Sequence, residues 1–138
     1  MADIWGLARE LGADIIFFKP DKKTNKDGIY YKDFSLICLN DCVSAIRQCN
    51  ALLHELGHCF CEHQYFSCHS SGYSYKQEHE ADCYMIRYRA DEWLSQFNWD
   101  PEQIDIYAFL DYFELSHKYY DMAFEIFKKL LGYSTLTH

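Results

Sequence analysis

The sequence predicts an α+β fold, with a small sheet in the N-terminal third of the chain and helices after it. Two short runs, residues 15–19 and residues 29–39, are rich in Ile, Phe and other apolar residues, a composition typical of strands. From about residue 41 onward, apolar residues instead recur at every third or fourth position, which is typical of helices. Because the strands are grouped ahead of the helices, we predict an α+β arrangement.

The length and composition indicate one folded domain over residues 1–138. A chain of 138 residues has room for a single core of the usual size. Hydrophobic residues make up 49% of the chain, more than a disordered protein carries. We expect residues 1–100 to form the core that carries the chemistry and residues 101–138 to form a helical extension.

The first predicted element is a short helix over residues 2–12, where apolar residues are spaced by three or four positions and Gly12 can end the helix. The two strand-like runs follow, and we expect two or three strands from them. The connection between the runs contains turn-forming residues such as Pro20 and Gly28. Its lysines are predicted to lie in a solvated loop: Lys19, Lys22, Lys23 and Lys26.

A long helix is predicted from about residue 41, with Asn40 or Asp41 as its N-terminal cap. Its apolar positions are Ile46, Cys49, Leu53, Leu56 and Phe60. Residues 63–76 are rich in serine and typical of a loop, and a second long helix is predicted to begin near Lys76. That helix should end before Pro101, which suits the first turn of another helix.

Two shorter helices are predicted to complete the chain. The first carries Ile104, Tyr107 and Ala108 on its apolar face. The second follows Ser116, its expected cap. Its apolar stripe is regular and comprises Tyr119, Met122, Ala123, Ile126, Phe127 and Leu130.

Charge and hydropathy exclude two classes of function. The net charge of −8 has the wrong sign for general binding to phosphate backbones. No apolar run approaches the roughly 20 residues that are needed to cross a membrane. The N-terminal residues mix charged and apolar side chains and lack the pattern of a secretory signal, so we expect a cytoplasmic protein.

Seven cysteines without a secretory signal predict reduced thiols rather than a disulfide framework. A second interpretation stays open for one cluster, which could bind a further metal ion. The cluster comprises Cys59, Cys61 and Cys68 with His63 and His69. Its spacing matches no common zinc-ribbon or zinc-finger pattern.

The strongest chemical signal is the sequence His54-Glu-Leu-Gly-His58 in the first long helix. Residues four apart lie about 40° apart around a helix, so both imidazoles can face one metal ion. Glu55 lies roughly 100° from His54, which does not place it as a ligand beside His58. It can instead accept a proton from a water molecule as a general base. The pattern predicts a hydrolytic metal site.

A catalytic tetrahedral site needs a third protein ligand. The metzincin pattern would require Gly and His where this chain has Cys61 and Gln64, so that subclass is excluded. A carboxylate at the start of the next helix is the alternative. Glu78 can bind the metal while Asp82, one turn later, accepts the second N–H of a ligand histidine. Glu80 is a rival ligand, although no carboxylate follows it four residues later.

These residues resemble the ImmA/IrrE metallopeptidases of bacteria and their mobile elements. That family combines a zinc-binding H-E-L-G-H sequence with a later E-x-x-A-[N/D]-x-F sequence, which Glu78, Ala81, Asp82 and Tyr84 resemble here. The chain departs from the family at Tyr84, where Phe is usual. Many members also carry a further histidine four residues after the second ligand, whereas this chain places His63 one position later.

The resemblance implies a compact zincin-like domain with a small sheet, the H-E-x-x-H helix, a second glutamate-bearing helix and C-terminal helices. It implies Zn²⁺ held by His54, His58 and Glu78, with Glu55 as catalytic base. It further implies a zinc-dependent endopeptidase that cleaves a regulatory protein, such as a helix-turn-helix repressor of a mobile element or stress response.

Two aspects of substrate handling are also expected. An exposed strand within residues 29–39 could hold an extended peptide by β-strand addition. A second donor to the developing oxyanion is needed as well. Its candidates are Tyr73, Tyr75, His79 and His117. The net charge of −8 favours a basic protein partner, as DNA-binding repressors often are.

Two other functions stay open. One is a non-proteolytic metal-binding module that sequesters a transcription factor, although a purely structural site needs no base such as Glu55. The other is a DNA-binding regulator built on residues 101–138. That segment contains three lysines against six acidic residues, whereas recognition helices are usually basic, so direct binding to nucleic acid is not expected.

Overall fold

A computed structural model of the protein describes residues 3–61 and 74–132. Within that part, five α-helices and a three-stranded sheet make up the fold. In chain order they are α1 (Ile4–Glu10), β1 (Asp14–Phe18), β2 (Gly28–Tyr31), β3 (Leu36–Asn40), α2 (Ala45–Phe60), α3 (Tyr75–Gln96), α4 (Ile106–Tyr112) and α5 (Tyr120–Leu131). The predicted α+β class is confirmed, and most of the predicted loop over residues 63–76 lies outside the described residues.

The chain forms two compact units, residues 1–82 and residues 83–138. The first contains α1, the sheet, α2 and the start of α3, and the second contains the rest of α3 with α4 and α5. The sequence-based division at residue 100 stays a prediction. No helix in the described residues is long and apolar enough to cross a membrane.

The sheet has the order β1-β3-β2, so β3 is its central strand. β1 pairs with β3 in parallel, with Asp14 opposite Leu36, and β2 pairs with β3 in antiparallel, with Gly28 opposite Leu39. The run predicted over residues 29–39 is therefore two strands. A short 3₁₀ turn separates them, and it ends at Ser35 in the left-handed region with φ of 48°.

The helix α2 begins at Ala45, later than predicted, and its cap is Ser44, whose hydroxyl accepts a hydrogen bond from the Arg47 N–H at 3.1 Å. The prediction of Asn40 or Asp41 as the cap is wrong. Asn40 ends β3, and its side-chain oxygen instead accepts a bond from the Cys42 N–H at 2.8 Å. The buried face of α2 packs on β2 and β3.

The C-terminal unit is built around a cluster of aromatic rings. The Trp93 and Phe109 ring centroids are 5.9 Å apart, and those of Phe109 and Phe127 are 5.0 Å apart. Both contacts are edge-to-face, the arrangement that aromatic rings prefer. The stripe predicted on α5 is confirmed at its centre, because Ala123 and Phe127 are buried.

Two details of the C-terminal helices differ from the prediction. The buried residues of α4 are Ile106, Phe109 and Leu110, whereas the predicted Tyr107 is 52% exposed. Ser116 does act as a cap, but of a 3₁₀ turn that precedes α5 rather than of α5 itself.

Candidate metal centre

The helix α2 presents His54 and His58 to the same side, one turn apart. Their Nε2 atoms lie 3.3 Å from each other. The His58 side chain is fully buried and that of His54 is 18% exposed, so the pair lies at the bottom of the site rather than on the surface. Their four-residue spacing therefore brings both imidazoles to one face of α2, as the sequence predicts.

The helix α3 begins with a capping box that positions the next functional residue. The Ser74 hydroxyl accepts a bond from the Gln77 N–H at 3.2 Å, and the Gln77 side chain accepts one from the Ser74 N–H at 2.9 Å. The Glu78 N–H donates to the Ser74 carbonyl at 2.9 Å. This reciprocal cap fixes the first turn of α3, in which Glu78 lies.

Glu78 contacts both histidines with its two carboxylate oxygens. Its Oε1 lies 2.8 Å from Nε2 of His58, and its Oε2 lies 3.3 Å from Nε2 of His54. One ligand atom from each of the three residues falls within 4.8 Å of the others, and the group could hold a metal ion. Among the described residues, no other cluster of this kind is found.

Asp82 approaches the other nitrogen of His54. The Asp82 Oδ1 atom accepts a hydrogen bond from Nδ1 of His54 at 3.0 Å. A histidine held in this way through one ring nitrogen directs its other nitrogen, Nε2, toward Glu78. Glu78 and Asp82, the two α3 carboxylates predicted to act together, thus both contact the imidazole of His54.

Glu55 is almost fully buried beside this cluster, with 5% of its surface exposed. A Cβ atom placed on Gly28 would lie 3.4 Å from Cγ of Glu55 and 3.1 Å from Cβ of Ala51, so the start of β2 closely approaches α2 here. Burial raises the pKa of Glu55 to about 7, although the charges of His54 and Lys26 oppose the shift. A carboxyl group with this pKa can exchange a proton near neutral pH.

The histidines and carboxylates shift one another's proton affinity strongly. Burial lowers the pKa of His54, but hydrogen bonds to Asp82 and Glu78 and the charge of Glu55 raise it to about 10. Burial raises the pKa of Glu78, but hydrogen bonds to His54 and His58 bring it well below its ordinary value. The protonated form of His54 and the ionised form of Glu78 therefore favour each other.

Sequence reasoning missed the contacts that hold β2 beside Glu55. Arg47 on α2 makes a two-pronged ion pair with Asp27, at 2.7 Å from Nη2 to Oδ1 and 3.0 Å from Nε to Oδ2. The Asn40 side chain donates to the Lys26 carbonyl at 3.2 Å. Asp27 and Arg47 are 20 residues apart and belong to no short motif, so no local pattern indicates their contact.

The remaining predicted site residues that the structure describes are not among the clustered ligand atoms. Glu80 is absent from the described group of ligand atoms, and its charge instead raises the pKa of the Cys61 thiol after the larger effect of burial. Tyr75 is 89% exposed, and His117 pairs with Asp111 at 2.6 Å in the C-terminal unit. His79 lies on α3 and is not among the clustered ligand atoms. Tyr73 lies outside the described residues.

The interpretation of a second metal site also falls largely outside the described residues, because Cys68, His63 and His69 are not among them. The described cysteines are free thiols, including Cys59 and Cys61.

Burial and a hydrogen bond with the Cys59 thiol raise the pKa of the Tyr30 phenol to about 12.

Comparison with known proteins gives one family. The family profile of the IrrE N-terminal-like domain, a peptidase family, matches residues 8–88. That range covers more than half of the chain and contains the sheet, α2 and the Glu78 and Asp82 positions. No curated protein matches the chain.

Proposed function

The chain belongs to the IrrE N-terminal-like peptidase family, and from that premise we propose that it is a zinc-dependent endopeptidase that cleaves a regulatory protein. The family match suggests a metallopeptidase type of function. The observation that carries the proposal is the convergence of His54, His58 and Glu78 within 4.8 Å, next to the buried carboxyl group of Glu55.

The donor set fits a zinc ion. Two imidazole nitrogens and one carboxylate are ligands that Zn²⁺ accepts, and three protein ligands are typical of catalytic rather than structural sites. His54, His58 and Glu78 would hold the ion, and Asp82 would keep the ring of His54 in position. When bound, Zn²⁺ supplies a Lewis acid that polarises a carbonyl group and lowers the pKa of water.

Glu55 would provide the proton transfers of peptide hydrolysis. Its carboxylate accepts a proton from the water molecule that attacks the scissile carbonyl and then donates this proton to the leaving amine. Burial supports this role, because it raises the pKa of Glu55 to about 7, where both proton acceptance and donation are accessible near neutral pH.

The edge strand β2 is the element proposed to hold an extended substrate. β3 is internal, so within the predicted range of residues 29–39 only the β2 part lies at an edge of the described sheet. The Asn40 N–H donates to the Asp27 carbonyl at 2.9 Å, which directs the backbone groups of Asp27 toward β3. In an antiparallel pair the next residue, Gly28, directs its groups away from β3. A peptide added there would lie beside Glu55.

A basic, DNA-binding repressor is the partner that we propose. The resemblance to ImmA/IrrE peptidases supports a helix-turn-helix protein, and the net charge of −8 supports a partner of opposite sign. Association that weakens at raised salt would support this attraction, whereas salt-independent association would remove the electrostatic argument.

The test is cleavage of helix-turn-helix proteins from the same genome by the zinc-loaded protein. Wild type and Glu55→Gln are each incubated with the panel, and products are located by mass spectrometry. Cleavage of one protein at one bond by wild type alone would support the proposal. Tight binding without cleavage by both would contradict it and favour the alternative function, a metal-binding module that sequesters a transcription factor.

A further inference from the structure

The segment just before β2 is fastened to its surroundings by three groups of side chains and backbone. Asp27 forms the two-pronged ion pair with Arg47 of α2. Asn40, at the end of β3, donates its side-chain N–H to the carbonyl of Lys26 at 3.2 Å and its backbone N–H to the carbonyl of Asp27. Lys26 is therefore held at its backbone, although its side chain extends into solvent.

This anchoring places the backbone of Lys26 close to the candidate catalytic base, within reach of its side chain. A Cβ atom on Gly28 would lie 3.4 Å from Glu55, and Lys26 precedes Gly28 by only two residues, about 7 Å of chain at most. The four-carbon stem of a lysine spans that distance. In agreement with this placement, the charge of Lys26 lowers the pKa of Glu55 against the larger effect of burial.

Lys26 is exposed and forms no ion pair within residues 3–61 and 74–132. The acidic groups nearest to it in sequence are engaged elsewhere, since Asp27 pairs with Arg47 and the Asp21 side chain accepts from the backbone of Lys23 and Thr24. A cation whose backbone is held beside the site in this way can bind an anionic group of another molecule.

We propose that Lys26 is a specificity-determining residue that binds an acidic side chain of the substrate near the scissile bond. The inference rests on the proposed endopeptidase function. A peptide that adds to β2 runs past Lys26, and an Asp or Glu carboxylate at that point forms a charge-assisted hydrogen bond with the ammonium. The net charge of −8 attracts a basic protein as a whole, while Lys26 selects an acidic residue at the cleaved segment.

A binding measurement on paired peptides tests this assignment. The zinc-loaded full chain carrying Glu55→Gln, which should not cleave, is applied to an array of extended peptides that differ only by Asp against Asn or Glu against Gln at each position. We expect one position at which the acidic peptide binds roughly fivefold better than its amide partner, the ratio of one partly exposed ion pair.

Three further changes, each added to Glu55→Gln, separate a charge contact from a structural effect. Lys26→Ala should abolish the acidic preference at that position, and Lys26→Glu should reverse it in favour of lysine-containing peptides. Lys23→Ala is the matched control, because Lys23 is an exposed lysine of the same loop whose charge is not among those acting on Glu55, and it should leave the preference intact. Equal zinc content in all four proteins excludes a damaged metal site.

An acidic preference that survives Lys26→Ala, or an array on which no position favours an acidic peptide or nothing binds, would overturn the assignment. Failure of the proposed function gives a different result, because that function is tested separately by measuring cleavage of whole repressor proteins by wild type. A protein that cuts a repressor but shows no acidic preference retains its function and loses only the role of Lys26.

Discussion

Nδ1 of His54 and Oδ1 of Asp82 lie 3.0 Å apart, although they belong to different helices. Glu78, one turn earlier on the same helix as Asp82, reaches the other nitrogen of the same imidazole. Two carboxylates four residues apart on a helix repel each other unless cations lie between them. Here the histidines of α2 provide that compensation, and a bound metal ion would do so as well.

Asp82→Asn should weaken zinc binding by about 10- to 100-fold, because an amide no longer fixes the His54 ring as a carboxylate does. The measurement is competition with a chromophoric zinc chelator. Asp91→Asn, an exposed aspartate on the same helix, is the control and should bind zinc as wild type does. Equal affinities for the Asp82 and Asp91 variants would contradict the supporting role of Asp82.

Glu78→Ala should remove the bound metal, whereas Glu80→Ala should retain about one zinc ion per chain. The physical reason is that Glu78 contacts both histidines, while Glu80 is not among the clustered ligand atoms. Elemental analysis of proteins purified without a metal-affinity tag measures the difference. If both variants keep their zinc, the metal is held elsewhere, with the thiols around Cys59 and Cys61 as the first candidates.

Glu55→Gln should reduce cleavage by about 10²- to 10⁴-fold, the usual contribution of a general base. The amide has nearly the same shape, and it removes a carboxyl group that burial keeps from ionising easily, so Tm should not fall. Single-turnover cleavage of the identified substrate gives the rate, and thermal unfolding gives the stability. A variant that cleaves as fast as wild type would show that Glu55 is not the base.

The metal-free protein should lose stability as the pH rises above about 6.5. Folding raises the pKa of His54 from 6.5 to about 10, so its protonated form stabilises the folded state below pH 6.5 and that contribution is lost toward pH 10. Glu55 acts in the same direction, since its pKa rises from 4.5 to about 7. Thermal unfolding at about pH 6 and about pH 9 measures the difference.

Zinc should reverse this dependence, because the metal binds neutral imidazole and displaces the protons. The increase in Tm caused by zinc should therefore grow between the same two pH values. His54→Ala is the control, and its metal-free form should show a weaker pH dependence than wild type. A stability that falls equally with and without zinc would contradict metal binding by His54.

Gly28→Ala should destabilise the fold by about 1–3 kcal/mol, the usual cost of adding a methyl group to a packed contact. The new Cβ would lie 3.1 Å from Cβ of Ala51 and would push β2 away from α2. Gly6→Ala in α1 is the matched control, because its nearest neighbour is 3.7 Å away and alanine favours a helix. Chemical denaturation of both variants should give shifts of opposite sign.

The parts of the site that local sequence dictates were predictable. His54, Glu55 and His58 follow one another within a single helix, and their relative directions follow from 3.6 residues per turn. The placement of Glu78 is partly local too, because Ser74 and Gln77 form a capping box at the start of α3. That box fixes the direction of the first turn and could have been identified from the sequence.

Other features depend on contacts between distant residues. Asn40 has a side chain suited to capping a helix, yet it ends β3, where it holds Cys42 and Lys26 instead. The position of Lys26 follows from the β2–β3 register and from the pair between Asp27 and Arg47, neither of which has a local signal. The prediction of the buried face of α4 was wrong because a short helix with many apolar residues fits more than one periodic pattern.

The parallel pairing of β1 with β3 predicts the order in which the strands of the sheet come together during folding. Asp14 meets Leu36, 22 residues later in the chain, whereas β2 and β3 are joined directly by residues 32–35. Closing the longer loop costs more entropy, so β1 should dock last during folding and its amide hydrogens should exchange with solvent before those of β3. Fraying at this edge leaves α2 packed on β2 and β3, so the helix that carries His54 and His58 keeps its support from the other two strands while β1 exchanges.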